Sequence, residues 1–260
     1  MIRHWFKLVR TRDLLYTWTA REFKVRYRGS TLGVAWALLY PLAFLLILIM
    51  VFSWFLRVPT LGIPASLFLY CGLAPWLLTS GAIQNSAFAL LANLELVKNA
   101  AFPREILPLA TMFVGAVDFA FSAVLLMALV LFYRVPIGMT ILFVPVLFVV
   151  QSLLTLAVCL SCAAWIVFYR DVRFLVPIAL QFWMYITPVF YPLQMVPERV
   201  RPWYLLNPMA ALIDSYRRVI LFHKWPEWPP FLTAVAISVT ALAASYTYFK
   251  HAESSFADRI

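Results

Sequence analysis

"REFKVRYRGSTLGVAWALLYPL", Arg21–Leu42, sets four basic side chains, Arg21, Lys24, Arg26 and Arg28, directly before a stretch that carries no charge. That charge-free stretch runs on to Arg57, longer than the roughly 20 residues a helix needs to cross about 30 Å of hydrocarbon. The same pattern recurs along the chain, between Arg57 and Glu95, Arg134 and Arg170, Arg173 and Glu198, and Glu227 and Lys250. A further run, Ile106 to Tyr133, is broken only by Asp118. Composition agrees, since 64% hydrophobic and 12% charged residues leave too little charge to cover a water-facing surface.

These runs predict an all-α polytopic membrane protein, because lipid offers no partner to a free backbone amide and a helix satisfies its own. The alternation with period two of a transmembrane barrel is missing. Six transmembrane helices are expected, at about Leu32–Leu56, Ser66–Leu91, Ile106–Phe132, Ile141–Phe168, Phe174–Tyr191 and Phe231–Phe249. The expected organisation is an amphipathic cytoplasmic interfacial helix over residues 1–30, a transmembrane domain over 31–252 and a cytoplasmic tail over 253–260. In the first of these, Trp5, Phe6, Leu14, Leu15, Trp18 and Phe23 interleave with the charges, the pattern of a helix lying in the interface plane. No cleavable signal peptide is expected, because this start is basic and amphipathic throughout.

With the N-terminus inside, residues 1–31, 92–105, 169–173 and 250–260 hold fourteen of the 21 lysines and arginines. That bias predicts both termini in the cytoplasm under the positive-inside rule. Of the other seven, five fall in Tyr191–Pro230, a segment rich in proline and aromatics and too apolar for a solvated loop. Within it "NPMAALIDSYRRVILF", Asn207–Phe222, has the spacing of a short amphipathic helix, with Met209, Leu212, Ile213, Tyr216 and Ile220 on one face and Asp214 near Arg217 and Arg218 on another. Re-entrant helices on the outer face between spans five and six are the expected outcome.

Catalytic chemistry finds no support. The 11 acidic residues are scattered, and Asp118, the one near a predicted midplane, is expected to be neutral or hydrogen-bonded across a helix interface, since a proton relay recruits several ionisable groups. "GSTLG", Gly29–Gly33, lacks the Lys-Ser/Thr pair of a phosphate loop. Cys159 and Cys162 have the spacing of a metal pair, but no second pair accompanies them and His4, His223 and His251 are distant, so neither metal nor cofactor is expected on this chain. A polyprenyl-dependent transferase embedded in the membrane needs a carboxylate or histidine cluster at one face, which the sequence lacks.

Two features point to transport instead. Aromatic residues make up 17% of the chain; Trp36, Tyr40 and Phe44 recur at i, i+4, i+8, while Phe182, Trp183 and Tyr185 crowd the fifth predicted span. Singly each reads as packing or an interfacial belt, whereas together they suit a channel whose flat rings slide over sugar faces. The second is "ANLELVKNAAFPREILP", Ala92–Pro108, where Lys98, Pro103, Arg104 and Glu105 surround Phe102. It reads as an interfacial turn or as a docking knob for a cytoplasmic partner, and the aromatic favours the knob.

Four stretches, "REFKVRYRGSTLGVAWALLYPL", "LVKNAAFPREILPL", "FYRDVRFLVPIALQFWMYITPVFYPLQMVPE" and "LNPMAALIDSYRRVIL", resemble in order the membrane subunits of ABC-2-type polysaccharide exporters, nearest to the O-antigen type. The resemblance implies a homodimer of six-span subunits in the bacterial inner membrane. Each subunit would pair with a separate ATP-binding cassette subunit that holds ATP and Mg. The implied cargo is a polysaccharide on a polyprenyl pyrophosphate lipid, with an ABC-2 permease for a drug or another lipid as the alternative. It further implies ATPase docking at Lys98, Phe102, Pro103, Arg104 and Glu105, a pyrophosphate portal at Arg21, Lys24, Arg26 and Arg28, a glycan channel at Trp36, Tyr40, Phe44, Phe182, Trp183 and Tyr185, and an outer gate at Tyr191, Pro192, Pro208, Asp214 and Arg217.

Overall fold

The computed structural model describes residues 12–93 and 103–256, and every regular element among them is a helix. Helix α1, Arg12–Tyr27, is followed by a turn in which Gly29 and Gly33 take φ of 77° and 51°, values that cost a residue with a Cβ but not glycine. Helix α2, Trp36–Leu48, is entered through a 3₁₀ turn and leaves through a π-helical turn, Ile49–Phe55. Then come α3, Ala65–Ala89, α4, Ile106–Phe132, and α5, Val144–Phe168. Helix α6, Val172–Tyr185, is followed by the single turn α7, Arg201–Tyr204, the short helix α8, Pro208–Leu221, and α9, Trp228–Glu253.

Among the described residues five segments are long and apolar enough to cross a membrane: Gly33–Phe55, Ala65–Ala89, Ile106–Phe132, Met139–Phe168 and Trp228–Glu253. The fifth expected span, Phe174–Tyr191, is realised as α6, whose 14 residues reach only about 21 Å at 1.5 Å per residue. Pro188 accounts for the early stop, because its ring disfavours helical geometry at the residue before it. The chain instead turns through residues 186–192.

Helix α3 is the hub. Of its most apolar stretch 78% is buried, against 22 to 33% in the other four, because α2, α4, α5, α6 and α8 all pack on it. Leu67, Phe68, Leu73, Leu147, Leu212 and Tyr216 form a core around its first half, and Ile83, Leu90, Ile106, Leu160, Ile166 and Phe249 form another around its second. Large apolar side chains such as Leu46, Trp54, Val124 and Leu142 point outward, as a lipid solvent permits.

Candidate functional site

Helix α4 presents two stripes at i, i+3, i+4, i+7. Phe113, Ala116, Val117 and Ala120 line an apolar groove beneath the first half of α1. Gly115, Asp118, Phe119 and Ser122 line a chamber of about 360 Å³ between α1, α2, α3 and α4. The stripes are two residues out of step, which at about 100° per residue sets them on opposite sides of α4.

The chamber gathers polarity that a lipid-facing helix would not carry. From α3 come Ser80, Gln84 and Asn85, from α2 the rings of Trp36 and Tyr40, and from the end of α1 Arg26 and Tyr27. Asp118 lies 12 residues into the 27-residue α4, about 18 Å from its start and near its middle. There Arg26 Nη1 donates to Asp118 Oδ2, and Tyr27 Oη donates to Oδ1 at 2.7 Å. The side chains of Arg26 and Asp118 retain 28% and 27% exposure. Burial, then the bond to Asp118, pushes the Tyr27 phenol up to about 12, so it stays a donor at neutral pH. Asp118 is thus hydrogen-bonded across a helix interface, in line with the expectation from sequence.

The remaining portal residues spread along α1. The Arg21 guanidinium lies 4.4 Å over the buried Trp18 ring and donates to Asn93 Oδ1 at 3.3 Å, while Lys24 and Arg28 are exposed. Trp18 seats α1 in the core formed by α3, α4 and α5, so α1 is packed against the bundle as well as charged.

Of the expected channel aromatics, only Trp36 and Tyr40 line the chamber. Phe44 stacks on Tyr40, ring centroids 6.5 Å apart, and packs toward the first core. On α6, Trp183 donates Nε1 to Asn207 Oδ1 at 3.0 Å and meets Trp76 edge-on. Phe182 and Tyr185 are exposed. None of the three α6 residues lines the chamber that holds Trp36 and Tyr40.

Lys98 and Phe102 lie outside the described residues. Pro103 accepts from the Ile106 amide at 3.1 Å in the turn that leads into α4. Glu105 is 2% exposed, and Lys250 Nζ reaches its Oε2 at 2.6 Å and Glu253 Oε2 at 2.8 Å. The Arg104 amide donates to Glu253 Oε1 at 3.2 Å, and its guanidinium donates to the Glu253 carbonyl. Arg104 and Glu105 therefore fasten the start of α4 to the end of α9, about 145 residues away in sequence. The buried Glu105 carboxylate thus forms one side of a strut between the two helices.

The expected gate residues converge on α8. Asn207 caps it, accepting from the Met209 amide at 3.1 Å, and Pro208 occupies its first turn, where a missing N–H costs nothing. Arg217 is 2% exposed. Its guanidinium lies 3.9 Å over Phe68 and donates to the carbonyls of Pro188 and Val189, both at 2.6 Å, and of Tyr191 at 3.0 Å. One cation thereby collects the carbonyls that the α6–α7 connection leaves without helical partners. Gly72 admits it: a Cβ there would sit 2.6 Å from both Arg217 Nη2 and the Val189 oxygen. Tyr191 Oη bonds Tyr204 Oη at 2.9 Å, and Asp214 pairs with Arg218 at 2.6 Å. Pro192, Asp214 and Arg217 share a smaller cavity of about 190 Å³.

Sequence reading missed the link between gate and chamber. Gln151 on α5 donates to the Pro75 carbonyl at 2.6 Å and to Thr79 Oγ1 at 3.0 Å, and accepts from Tyr216 Oη at 3.0 Å. Tyr216 also meets Phe119, the neighbour of Asp118. A lone glutamine in an apolar run was the available signal, since a polar group in a spanning helix needs a partner.

Comparison with known proteins places this geometry. The model of the ABC-2 type transporter family matches residues 13–221. The O-antigen export system permease protein RfbA of Myxococcus xanthus is 33% identical over 263 residues, covering 100% of both chains. A protein of the same name from Klebsiella pneumoniae is 29% identical over 211 residues, 80% of each chain. The polysialic acid transport protein KpsM of Escherichia coli is 25% identical over 209 residues, 77% of this chain and 78% of that one. Aligned over four fifths of its length with a membrane-protein family, and over its whole length with a relative of that kind, the chain belongs to the ABC-2 type transporter membrane family.

Proposed function

We propose that this chain is the permease subunit of an ATP-driven exporter for an O-antigen-like polysaccharide carried on polyprenyl pyrophosphate. Membership of the family implies an ATP-binding cassette partner, and ATP and Mg belong to that partner. The observation that carries the reading is the chamber, where Arg26 stands at the end of α1 with Trp36, Tyr40, Ser80, Gln84 and Asn85 around it. Cation, flat rings and amide groups suit a pyrophosphate followed by sugars. A drug or an apolar lipid gains nothing from that polarity, so the glycan reading is preferred to the other permease reading.

In this reading two copies form the transporter in a bacterial inner membrane, with both termini cytoplasmic and α1 along the cytoplasmic interface. Helix α6 counts as the fifth of six spans, with α7 and α8 as re-entrant helices at the outer face. The depth of Tyr216, bonded to Gln151 and in contact with Phe119, supports re-entry. Phe182 and Tyr185, exposed on α6, would complete the channel across the dimer.

Coupling follows from the strut. Nucleotide binding in the partner acts at the expected docking residues, and Arg104 and Glu105 carry its effect to α4 and, through Lys250 and Glu253, to α9. A ligand shifts such an equilibrium only through its different affinity for the two states, and here that difference resides in the ATPase. The test is co-purification with a Walker-motif ATPase whose hydrolysis rate changes when this chain and a lipid-linked glycan are both present. A rate indifferent to both refutes the assignment.

A further inference from the structure

We propose that the chamber seats one uncharged sugar residue, the first of the glycan, and that Arg26 and Asp118, by cancelling each other's charge, make it refuse a sugar that bears a carboxylate. The inference rests on the export reading and assigns the chamber to the sugar; the pyrophosphate is left outside it, at the end of α1 where Lys24 and Arg28 are exposed. Among the described residues Arg26 and Asp118 are the only charged side chains that line the chamber, and they are bonded to each other. Tyr27 donates to the second carboxylate oxygen at 2.7 Å, so Asp118 is held from both sides. The two side chains are largely withdrawn from water.

That balance decides what can enter. An ion moved from water into a confined site is destabilised unless a counter-charge meets it. An acidic sugar must either lie beside Asp118 or draw Arg26 away from it, and in both cases one carboxylate is left unmatched. A neutral ring leaves the pair undisturbed.

The rest of the lining suits hydroxyl groups. Ser80 and Asn85 give protons to the carbonyls of Trp76 and Gly81 on their own helix, at 2.9 and 2.8 Å, which leaves Ser80 Oγ and Asn85 Oδ1 as acceptors. Gln84, exposed on the same helix, adds an amide that both donates and accepts. Trp36 and Tyr40 stand one turn apart on α2, and the negative faces of such rings attract the C–H groups of a sugar. An apolar cavity of about 150 Å³ takes the six carbons of benzene. The 360 Å³ of the chamber therefore takes about 14 heavy atoms by that measure, one hexose and not two.

The chain, purified in phosphatidylcholine nanodiscs, is titrated with undecaprenyl pyrophosphate carrying glucose and with the same lipid carrying glucuronic acid, and bound lipid is counted by native mass spectrometry. The probes share tail and pyrophosphate and differ only in a hydroxymethyl group against a carboxylate. The wild type is expected to prefer the glucosyl lipid at least about tenfold. Asp118→Asn leaves Arg26 unmatched and is expected to abolish or reverse that preference. Arg26→Gln combined with Asp118→Asn makes the chamber neutral again and is expected to restore it. Gln84→Glu, at an exposed position that folding tolerates, adds an unmatched carboxylate and should widen it. Equal affinity of the wild type for both lipids overturns the inference and leaves the export reading standing. A wild-type preference that persists in Asp118→Asn, stays lost in the double variant, or is unmoved by Gln84→Glu also overturns the inference alone. Binding of neither lipid by the wild type overturns both readings.

Discussion

Gly72→Ala should loosen the Arg217 clamp. The added Cβ would meet Arg217 Nη2 and the Val189 carbonyl oxygen, both at 2.6 Å, and Arg217 Cζ at 3.3 Å. Two of those atoms belong to one hydrogen bond, Nη2 to the Val189 oxygen at 2.6 Å, so the methyl group cannot be seated without stretching it. Overpacking of a filled core costs about 1–3 kcal/mol, and a hydrogen bond from a charged donor contributes about 1.5–3 kcal/mol. The expected loss is therefore about 3–5 kcal/mol. At about 2–4 °C per kcal/mol for a chain of this size, the midpoint falls by about 10 °C. Fluorescence-detected gel filtration after heating in detergent measures it. Arg217→Met in the same background removes one of the two clashing atoms, so the double variant should lose at least about 1 kcal/mol less than the sum of the singles. Distant sites add to within about 0.5 kcal/mol. A Gly72→Ala protein as heat-stable as wild type, or strictly additive losses, refutes the clamp.

The strut makes an ordered prediction. Glu105→Gln leaves Lys250 paired with Glu253 and should cost about 1.5–3 kcal/mol, whereas Lys250→Met leaves the buried Glu105 carboxylate without its ammonium and should cost about 3–5 kcal/mol. The reverse order in a thermal-stability assay contradicts the geometry. Tyr216→Phe deprives Gln151 Oε1 of its donor at a cost of about 1–3 kcal/mol, and hydrogen exchange in α8 should quicken while that in α9 does not.

What the sequence made legible was local. The amphipathic face of Met209, Leu212, Ile213, Tyr216 and Ile220 depends on neighbours a few residues away, and all five are buried as the pattern puts them. Glu105 reads as an exposed loop residue only because Lys250 is 145 positions distant. The stripe of Ser80, Gln84 and Asn85 is mild enough to pass as ordinary polar substitution until α4 brings Asp118 opposite it. The shortness of α6 was hidden because hydropathy counts apolar residues and does not register that Pro188 and Pro192 forbid a continuous helix. Chemistry was readable as residue type; the pairing of Arg26 with Asp118 was not, because a charge at the end of one helix and a charge in the middle of another share no spacing in the chain.

Vectorial export tests the account most directly. Vesicles holding this chain and its ATPase partner, with ATP and lipid-linked glycan supplied on the cytoplasmic side, are probed for glycan on the opposite side with an impermeant lectin. The account predicts ATP-dependent appearance of glycan, abolished when Trp36 and Tyr40 are both changed to Ala although the complex still assembles. Glycan that crosses without ATP, or equally well in the double variant, would contradict it.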